Sequence, residues 1–328
     1  MNFLQQARSL LAGRDDRWPP RKIALALQGG GSFGAFTWGV LDRLLEEPGS
    51  EIDAMSGASA GAVNGVLLAS GLVTGGPNEA KARLARFWGR MIDDAAFVPF
   101  ASLQQLLAGT PAGLWTRAFS PSQFNPFDLN PLRRALAAEV DFDALRDPAS
   151  PRLLIATTRV RDSSLRIFRN EEITIDTVLA SACLPLIHRT VEIEGESYWD
   201  GGYVANPPIL PLVHENDVSD LVVVQVTPTQ GARKPSAPAE IARRLDQISF
   251  NAPLNAELAA LELARKLAAT PKVRDLHVWR LAAEDEIAGL DERSAADLGR
   301  TFIAALHESG RRAAERWLAQ PPALNNAA

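Results

Sequence analysis

The sequence predicts an α/β fold: a single three-layer domain in which a central, mostly parallel sheet is flanked by helices. The first observation is the short apolar run 23–28, which ends in glycines and has the length and composition of a buried parallel strand. The second is that a strand, a glycine-containing turn and a helical pattern occur in this order twice, over 23–47 and 52–70. Alternation of this kind is typical of a mostly parallel sheet.

The rest of the chain continues the alternation. The periodicity predicts further helices over 79–92, 101–108, 131–138 and 175–182, and further strands over 153–158, 165–168, 220–226 and 276–281. A helical pattern over 237–269 is expected to be interrupted at Pro253, because proline lacks the backbone N–H that a helix interior requires. A closing amphipathic helix is expected over 295–318.

Domain organisation is predicted from the breaks in the sequence pattern. The 328 residues leave one or two domains open at roughly 150 residues per domain. Residues 1–21 read as a tail, with a short amphipathic helix over 3–11, and 22–320 as the catalytic domain, whose part 237–320 is helical. The segment 97–130 is irregular and rich in Phe, Pro and Gly. We interpret it as a lid or substrate-access segment, or equally as a loop whose aromatic residues cap the core.

Composition excludes several classes of function. A net charge of −5, with 22% charged and 46% hydrophobic residues, is ordinary for a globular protein and does not fit a nucleic-acid-binding surface. The single cysteine, Cys183, excludes an intrachain disulfide and a cysteine-rich zinc module, and four histidines leave little material for a metal site. No apolar run approaches the ~18 residues of a membrane span, and no secretory leader is evident, so a cytoplasmic protein is expected.

The most informative motif is Gly57-Ala58-Ser59-Ala60-Gly61, which lies between a predicted strand and a predicted helix. A nucleophilic serine is favoured at such a turn, because its hydroxyl is exposed while the N-terminus of the following helix stabilises negative charge. Gly57 and Gly61 would relieve the crowding of this elbow. The alternative is a serine that only caps the helix in a glycine-rich turn.

A second match to the same pattern is Gly30-Gly31-Ser32-Phe33-Gly34, also between a strand and a helix. The bulky Phe33 fits a tight elbow poorly, whereas Ser59 has alanine on both sides. We therefore favour Ser59 over Ser32 as the nucleophile.

The glycine run from Gly29 to Gly31, closed by Gly34, has two functional interpretations. Consecutive glycines let backbone N–H groups converge on a negative oxygen and so form an oxyanion hole. The same residues match G-x-G-x-x-G, and Asp53 follows nineteen residues after Gly34, as in a dinucleotide-binding protein. Asp53 precedes the end of its strand, however, which disfavours the nucleotide. A flexible turn without function remains the third interpretation.

A serine nucleophile requires a base, and Asp200-Gly201-Gly202 is the candidate. The glycines allow the carboxylate to approach another backbone, and the aromatic residues before it could exclude water and raise its proton affinity. The alternative is that this segment is an ordinary Asp-Gly turn without a catalytic role. Alternatively, the base is a histidine in a Ser-His-Asp triad, and the candidates are His188, His214 and His277.

Together these motifs resemble the patatin-like phospholipase family. The resemblance rests on an oxyanion loop G-G-G-x-[KR]-G, a G-x-S-x-G elbow and a late D-G-[GA], found here in that order as Gly29 to Gly34, Gly57 to Gly61 and Asp200 to Gly202. Supporting matches are Ala180-Ser181-Ala182-Cys183-Leu184-Pro185 and Asn206-Pro207-Pro208. The resemblance covers roughly residues 22–227. The basic residue of the family's glycine loop is replaced by Phe33, so contact with an anionic head group at that position is in question.

The resemblance implies a lipid acyl hydrolase in which Asp200 deprotonates Ser59 and the intermediate is an acyl-serine. The oxyanion loop would comprise Gly29, Gly30, Gly31, Ser32 and Gly34, with the N–H groups of Gly30, Gly31 and Ser32 as donors. No cofactor or metal is implied. The partners expected are a lipid or fatty-acyl ester and a peripheral membrane contact; the oligomeric state is open. The alternatives are an acyltransferase, esterase or thioesterase with the same dyad, and a non-hydrolytic nucleotide-binding protein.

Overall fold

A computed structural model describes residues 18–97, 130–231, 233–267 and 270–319. Eight strands form one sheet: β1 (Lys22–Leu27), β2 (Glu51–Gly57), β3 (Arg152–Arg159), β4 (Ser164–Arg169), β5 (Val191–Ile193), β6 (Glu196–Asp200), β7 (Asp220–Gln225) and β8 (His277–Ala282). The strands β3, β2, β1, β7 and β8 lie side by side in parallel. β4, β5 and β6 pair antiparallel at the β3 edge.

Helices cover both faces of the sheet. They are α1 (Gly34–Leu44), α2 (Ala60–Phe97), α3 (Pro131–Glu139), α4 (Ile175–Ser181), α5 (Ile209–Glu215), α6 (Pro238–Lys266), α7 (Pro271–Arg274) and α8 (Arg300–Ala319). Alternate residues of β1 enter different cores: Ile23, Leu25 and Leu27 pack with α1, α2 and α8, whereas Ala24 and Ala26 pack with α5 and α6. The predicted α/β fold with a mostly parallel sheet flanked by helices is confirmed.

Several predicted elements differ from the structure. The helical pattern 237–269 is not interrupted at Pro253; α6 runs through it, because one missing N–H removes a single hydrogen bond from a helix of 29 residues. The helices predicted over 62–70 and 79–92 are parts of α2, whose backbone leaves helical geometry at Gly76 (φ 71°, ψ −163°). β5, β6 and α5 were not predicted. The segments 3–11, 101–108 and 98–129 lie outside the described residues.

Strands β2 and β6 share one edge of β3. β4 pairs along residues 154–159 of β3 and so occupies one edge of that strand. The other edge pairs in parallel with β2 up to Ile155 and antiparallel with β6 from Thr157. The two strands therefore point at each other end to end: Gly57, the last residue of β2, lies opposite Ile155, and Asp200, the last residue of β6, lies opposite Thr157.

The glycine loop joins the same place from the neighbouring strand. β1 and β2 are parallel and paired up to Leu27 and Gly57, so the loops that follow them emerge side by side at the carboxyl edge of the sheet. The first turn of α2 passes so close to the end of β1 that a Cβ on Gly61 would lie 2.0 Å from the Leu27 carbonyl oxygen. The turn after β2 thus has no room for a side chain at this position.

We predict that Gly61→Ala destabilises the protein by about 1–3 kcal/mol, since the added methyl group meets backbone that cannot rotate away. Gly89→Ala is the control: it lies in the second helical part of α2, beyond the break at Gly76, and its Cβ would meet nothing within 4 Å. There the better helix propensity of alanine is expected to stabilise the protein by about 1 kcal/mol. Urea unfolding of both variants tests this, and equal effects would contradict the close approach.

Candidate active site

Ser59 sits on a strained turn between β2 and α2. Its φ of 52° lies in the left-handed region, which a non-glycine residue adopts only where the surrounding structure holds it. The Ser59 N–H donates to the carbonyl oxygen of Ser181 at 3.1 Å and to its hydroxyl at 3.0 Å. The residue is 7% exposed, and α2 begins directly after it at Ala60. The side chain is therefore fixed at the positive end of a helix.

Asp200 ends β6 and is completely buried. Its backbone is fixed on both sides: the N–H donates to the Cys183 carbonyl at 2.9 Å, and the carbonyl accepts from the Thr158 hydroxyl at 2.7 Å. The side-chain oxygen Oδ1 accepts from the Gly202 N–H at 2.7 Å. The other oxygen, Oδ2, is buried and makes no hydrogen bond with any residue the structure describes.

Burial raises the pKa of the Asp200 carboxyl from 3.8 to about 7. Two neighbours oppose this rise, the Gly202 N–H and the Ser59 hydroxyl, both of which favour the charged form and lower the pKa. The Ser59 hydroxyl is thus close enough to interact with the carboxyl, although it is not aligned as a hydrogen bond to Oδ2. In sites without a bound substrate such contacts are often long. The serine and aspartate predicted from the motifs are therefore brought together.

The glycine loop is held against Ser59 by Asn206, a fully buried residue that follows the Asp200 turn. The Gly29 N–H donates to Asn206 Oδ1 at 2.7 Å. The Gly29 carbonyl accepts from Asn206 Nδ2 at 3.3 Å and from the Thr227 hydroxyl at 3.2 Å. A Cβ on Gly29 would lie 2.6 Å from the Cβ of Ser59, so only glycine allows this approach.

The backbone amides of the loop differ in what they bond. Those of Gly29, Ser32 and Gly34 are occupied: Ser32 N–H donates to the Ala295 carbonyl at 2.8 Å, and Gly34 N–H donates to carbonyls within its own turn. The amides of Gly30 and Gly31 have no hydrogen-bond partner among the described residues. Two adjacent N–H groups are therefore left to bind an anion beside Ser59.

Comparison with known proteins matches the sequence model of the patatin-like phospholipase family to residues 25–213, more than half of the chain. The chain belongs to the patatin-like phospholipase family. It is 28% identical over 215 residues to the uncharacterised protein YjjU of Escherichia coli (strain K12), a match that covers 64% of this chain and 54% of YjjU. This chain thus spans about half the length of that relative.

A solved structure is also similar to the chain. The crystal structure of VipD from Legionella pneumophila aligns with a TM-score of 0.47 and 15% identity, over 92% of this chain and 67% of that one. The predicted resemblance to patatin-like phospholipases is confirmed by the family match. The family acts on lipid substrates and comprises esterases and hydrolases.

The residues on which other interpretations depended are Ser32, Phe33 and Asp53, and each of them contacts residues other than Ser59 and Asp200. Ser32 places its hydroxyl 3.5 Å from the Ser294 carbonyl, and Phe33 is buried edge-to-face against Phe302, so Phe33 replaces the family's basic residue with a core contact. Asp53 bonds Lys22 at 2.7 Å near the amino-terminal ends of β2 and β1, the sheet edge opposite the glycine loop. This position does not suit a ribose ligand.

None of the four histidines, all of which lie among the described residues, bonds to Ser59 or Asp200. His188 accepts from the Leu184 N–H, His277 contacts Asp220 at the start of β7, and His307 lies beside Asp42. Among the described residues, no group of three or more His, Cys, Asp or Glu side chains is arranged to bind a metal ion. None of the described helices is long and apolar enough to cross a membrane.

Two supporting residues, Ser181 and Asn206, were quoted in the sequence only as family matches. Their roles depend on contacts across 122 and 177 residues of chain, with Ser59 and Gly29 respectively, which no local pattern encodes. The strand that carries Asp200 did leave a sequence pattern. β5 and β6 flank the pair Glu194-Gly195, both with positive φ, and an X-Gly pair between two short alternating runs is typical of a tight hairpin.

We predict that Asp200→Asn stabilises the protein, and more so at high pH. Because the pKa of Asp200 is about 7 in the folded state and 3.8 in the ordinary carboxyl, the destabilisation builds up as the pH rises between these two values and is constant above them, so it is larger at about pH 8.5 than at about pH 5. Asparagine carries no charge at either pH and can still accept from Gly202. The gain in unfolding free energy, measured by urea denaturation, should therefore grow between these pH values; a gain that is the same at both would contradict the raised pKa.

Proposed function

We propose that this protein is a serine lipid acyl hydrolase that cleaves carboxylic esters of phospholipids or related lipids on a Ser59–Asp200 dyad. Family membership supports the reaction class and the lipid substrate. The observation that supports the dyad is the unpaired buried oxygen Oδ2 of Asp200 beside a serine held at positive φ. A carboxyl with a pKa of about 7 is charged in half of the molecules near neutral pH and is a far stronger base than an exposed aspartate.

In the first half of the reaction, Ser59 Oγ forms a bond to the ester carbonyl carbon while its proton passes to Asp200 Oδ2. The electron pair of the carbonyl moves onto its oxygen. The N–H groups of Gly30 and Gly31 would hold this oxyanion, since the other loop amides are already bonded. When the intermediate collapses, the bond to the leaving alcohol oxygen breaks and that oxygen takes the proton from Asp200.

In the second half, water attacks the acyl-serine. Asp200 accepts a proton from the water, the same two amides stabilise the second oxyanion, and Ser59 Oγ regains its proton as the fatty acid leaves. The Asp200 carboxyl group takes part in every proton transfer. Asn206 has no place in these transfers; its role would be to keep the glycine loop at a fixed distance from Ser59, because it bonds both the N–H and the carbonyl of Gly29.

An alcohol or thiol acceptor could capture the same acyl-serine, and product analysis separates this outcome from hydrolysis. A lid or substrate-access role for 97–130 and a cytoplasmic location with peripheral membrane contact remain parts of the proposal. The nucleotide-binding alternative has no structural support, because Asp53 and the glycine loop lie at opposite edges of the sheet.

A fluorophosphonate probe tests the nucleophile. We expect the wild type and Ser32→Ala to be labelled, with the adduct mapped to Ser59 by mass spectrometry, and Ser59→Ala to remain unlabelled. Release of free fatty acid from a phospholipid should fall roughly a thousandfold or more in Ser59→Ala. Labelling that persists in Ser59→Ala and disappears in Ser32→Ala would contradict the assignment, and an acyl-alcohol product in place of free fatty acid would make the protein a transferase.

A further inference from the structure

Helix α6 turns an apolar side toward the solvent. Residues at intervals of three or four lie on one side of a helix, and here a series of eight such residues is entirely apolar: Ile241, Leu245, Ile248, Ala252, Ala256, Ala259, Leu263 and Leu267, called the outer face below. Its five large side chains are 43–72% exposed. They make up half of the ten exposed large apolar side chains among the described residues, so the exposure is concentrated on α6 and on Leu267, the residue that caps its carboxyl end.

The opposite side of α6 packs on the protein through apolar and polar residues together, with Leu254 and Leu261 in the core beneath the helix. Gln247 and Asn251 are buried, and their side-chain amides donate to the carbonyls of Asp291 and Pro228 at 2.9 and 2.7 Å. Glu257 accepts from the first backbone N–H groups of α5. A helix at the surface of a soluble protein normally turns a polar side outward, whereas α6 is apolar along its outer face as well as in the core. The outer face therefore fits a neighbour less polar than water.

Each end of the outer face carries one basic side chain more than acidic ones. At the amino-terminal end, four basic and three acidic side chains line a shallow cleft: Arg233, Lys234, Arg243, Arg244, Glu240, Asp291 and Glu292. At the carboxyl-terminal end, Arg265 and Lys266 lie within 3.8 Å of the single acid Glu262. Two copies paired through this face, in either direction, would bring basic ends together. Anionic head groups would complement both ends.

The inner side of α6 is packed directly on the proposed active site. The Phe250 carbonyl accepts from Asn206 Nδ2 at 2.9 Å, and the Phe250 ring lies so close to Gly202 that a Cβ there would approach it to 2.6 Å. Tyr203, which is 40% exposed, stacks at a tilt on the same ring with centroids 5.4 Å apart. The outer face thus lies about one helix diameter, roughly 10 Å, from the turn that carries Asp200.

We propose that the outer face of α6 docks on an anionic lipid surface, with the helix axis parallel to the plane of the interface. Apolar side chains on the outer face would enter the boundary between head groups and acyl chains, and the basic residues at its ends would contact the head groups. Docking in this way holds the Ser59–Asp200 pair beside its substrate. The proposal rests on the proposed lipid acyl hydrolase function and adds the surface through which lipid is reached.

Vesicle co-sedimentation of the full chain tests the docking surface. The Ser59→Ala background prevents hydrolysis during the measurement, and the vesicles are phosphatidylcholine with or without phosphatidylglycerol. We expect binding to the phosphatidylglycerol vesicles, and we expect Leu245→Glu with Ile248→Glu to weaken it about tenfold or more, because two apolar side chains are replaced by charges that remain in water. Lys234→Glu should weaken binding only when phosphatidylglycerol is present.

Leu165→Glu is the control for a single added charge, since Leu165 is an exposed leucine on β4 and not on α6, and this variant should bind nearly as the background does. With Ser59 intact, the double variant should keep full turnover of a soluble short-chain ester, so loss of docking and failure of the proposed chemistry are seen separately. Unchanged vesicle binding in the double variant would overturn the proposal. So would a dimer, detected by light scattering, that the double variant dissociates without any change in vesicle binding.

Discussion

The end-to-end meeting of β2 and β6 on one edge of β3 is the constraint on which the candidate site depends. A parallel strand and an antiparallel strand share that edge, so their carboxyl ends face each other. One end lies opposite Ile155 of β3 and the other opposite Thr157. One end leads into the turn of Ser59 and the other is Asp200 itself. Residues 141 positions apart in the chain are thereby placed by backbone hydrogen bonds of the sheet, which are more rigid than loops.

Burial at this junction determines the chemistry. A carboxyl removed from water holds its proton more tightly, and Asp200 has only one backbone N–H and the Ser59 hydroxyl to offset the loss of solvent. The charged form of Asp200 is therefore unfavourable at the point where the proposed dyad requires a base. The same burial leaves Oδ2 without a partner among the described residues, which is costly in a purely structural residue and useful in one that receives a proton.

Sequence predicted the parts of this arrangement that local chemistry determines. The strand–turn–helix units at β1 and β2, the elbow at Ser59 and the glycine loop are each encoded within a few consecutive residues. Two features were missed. The hairpin of β5 and β6 was missed because its strands are only three and five residues long, and the bonds of Asn206 to Gly29 join segments that only the folded chain brings together.

The motif alone also does not predict which backbone amides of the glycine loop are already hydrogen-bonded. The glycine pattern treats Gly29 to Gly31 alike, but Asn206 occupies the first amide and leaves the next two. Likewise, helical periodicity gives the sides of α6 but not which one is buried. The side that faces inward carries Leu254 and Leu261 into the core, together with Asn251, which accepts from Gln28 and Gln225.

The central claim is that one buried carboxyl is the base, and the pH dependence of kcat/KM for a soluble short-chain ester tests it most directly. The predicted profile rises with pH through a single ionisation near about 7, where Asp200 loses its proton. Because carboxyl ionisation absorbs little heat and imidazole ionisation absorbs much more, this apparent pKa should hardly move with temperature. A rise centred near the ordinary aspartate value, or a pKa that falls steeply on warming as a histidine's does, would contradict the Ser59–Asp200 dyad.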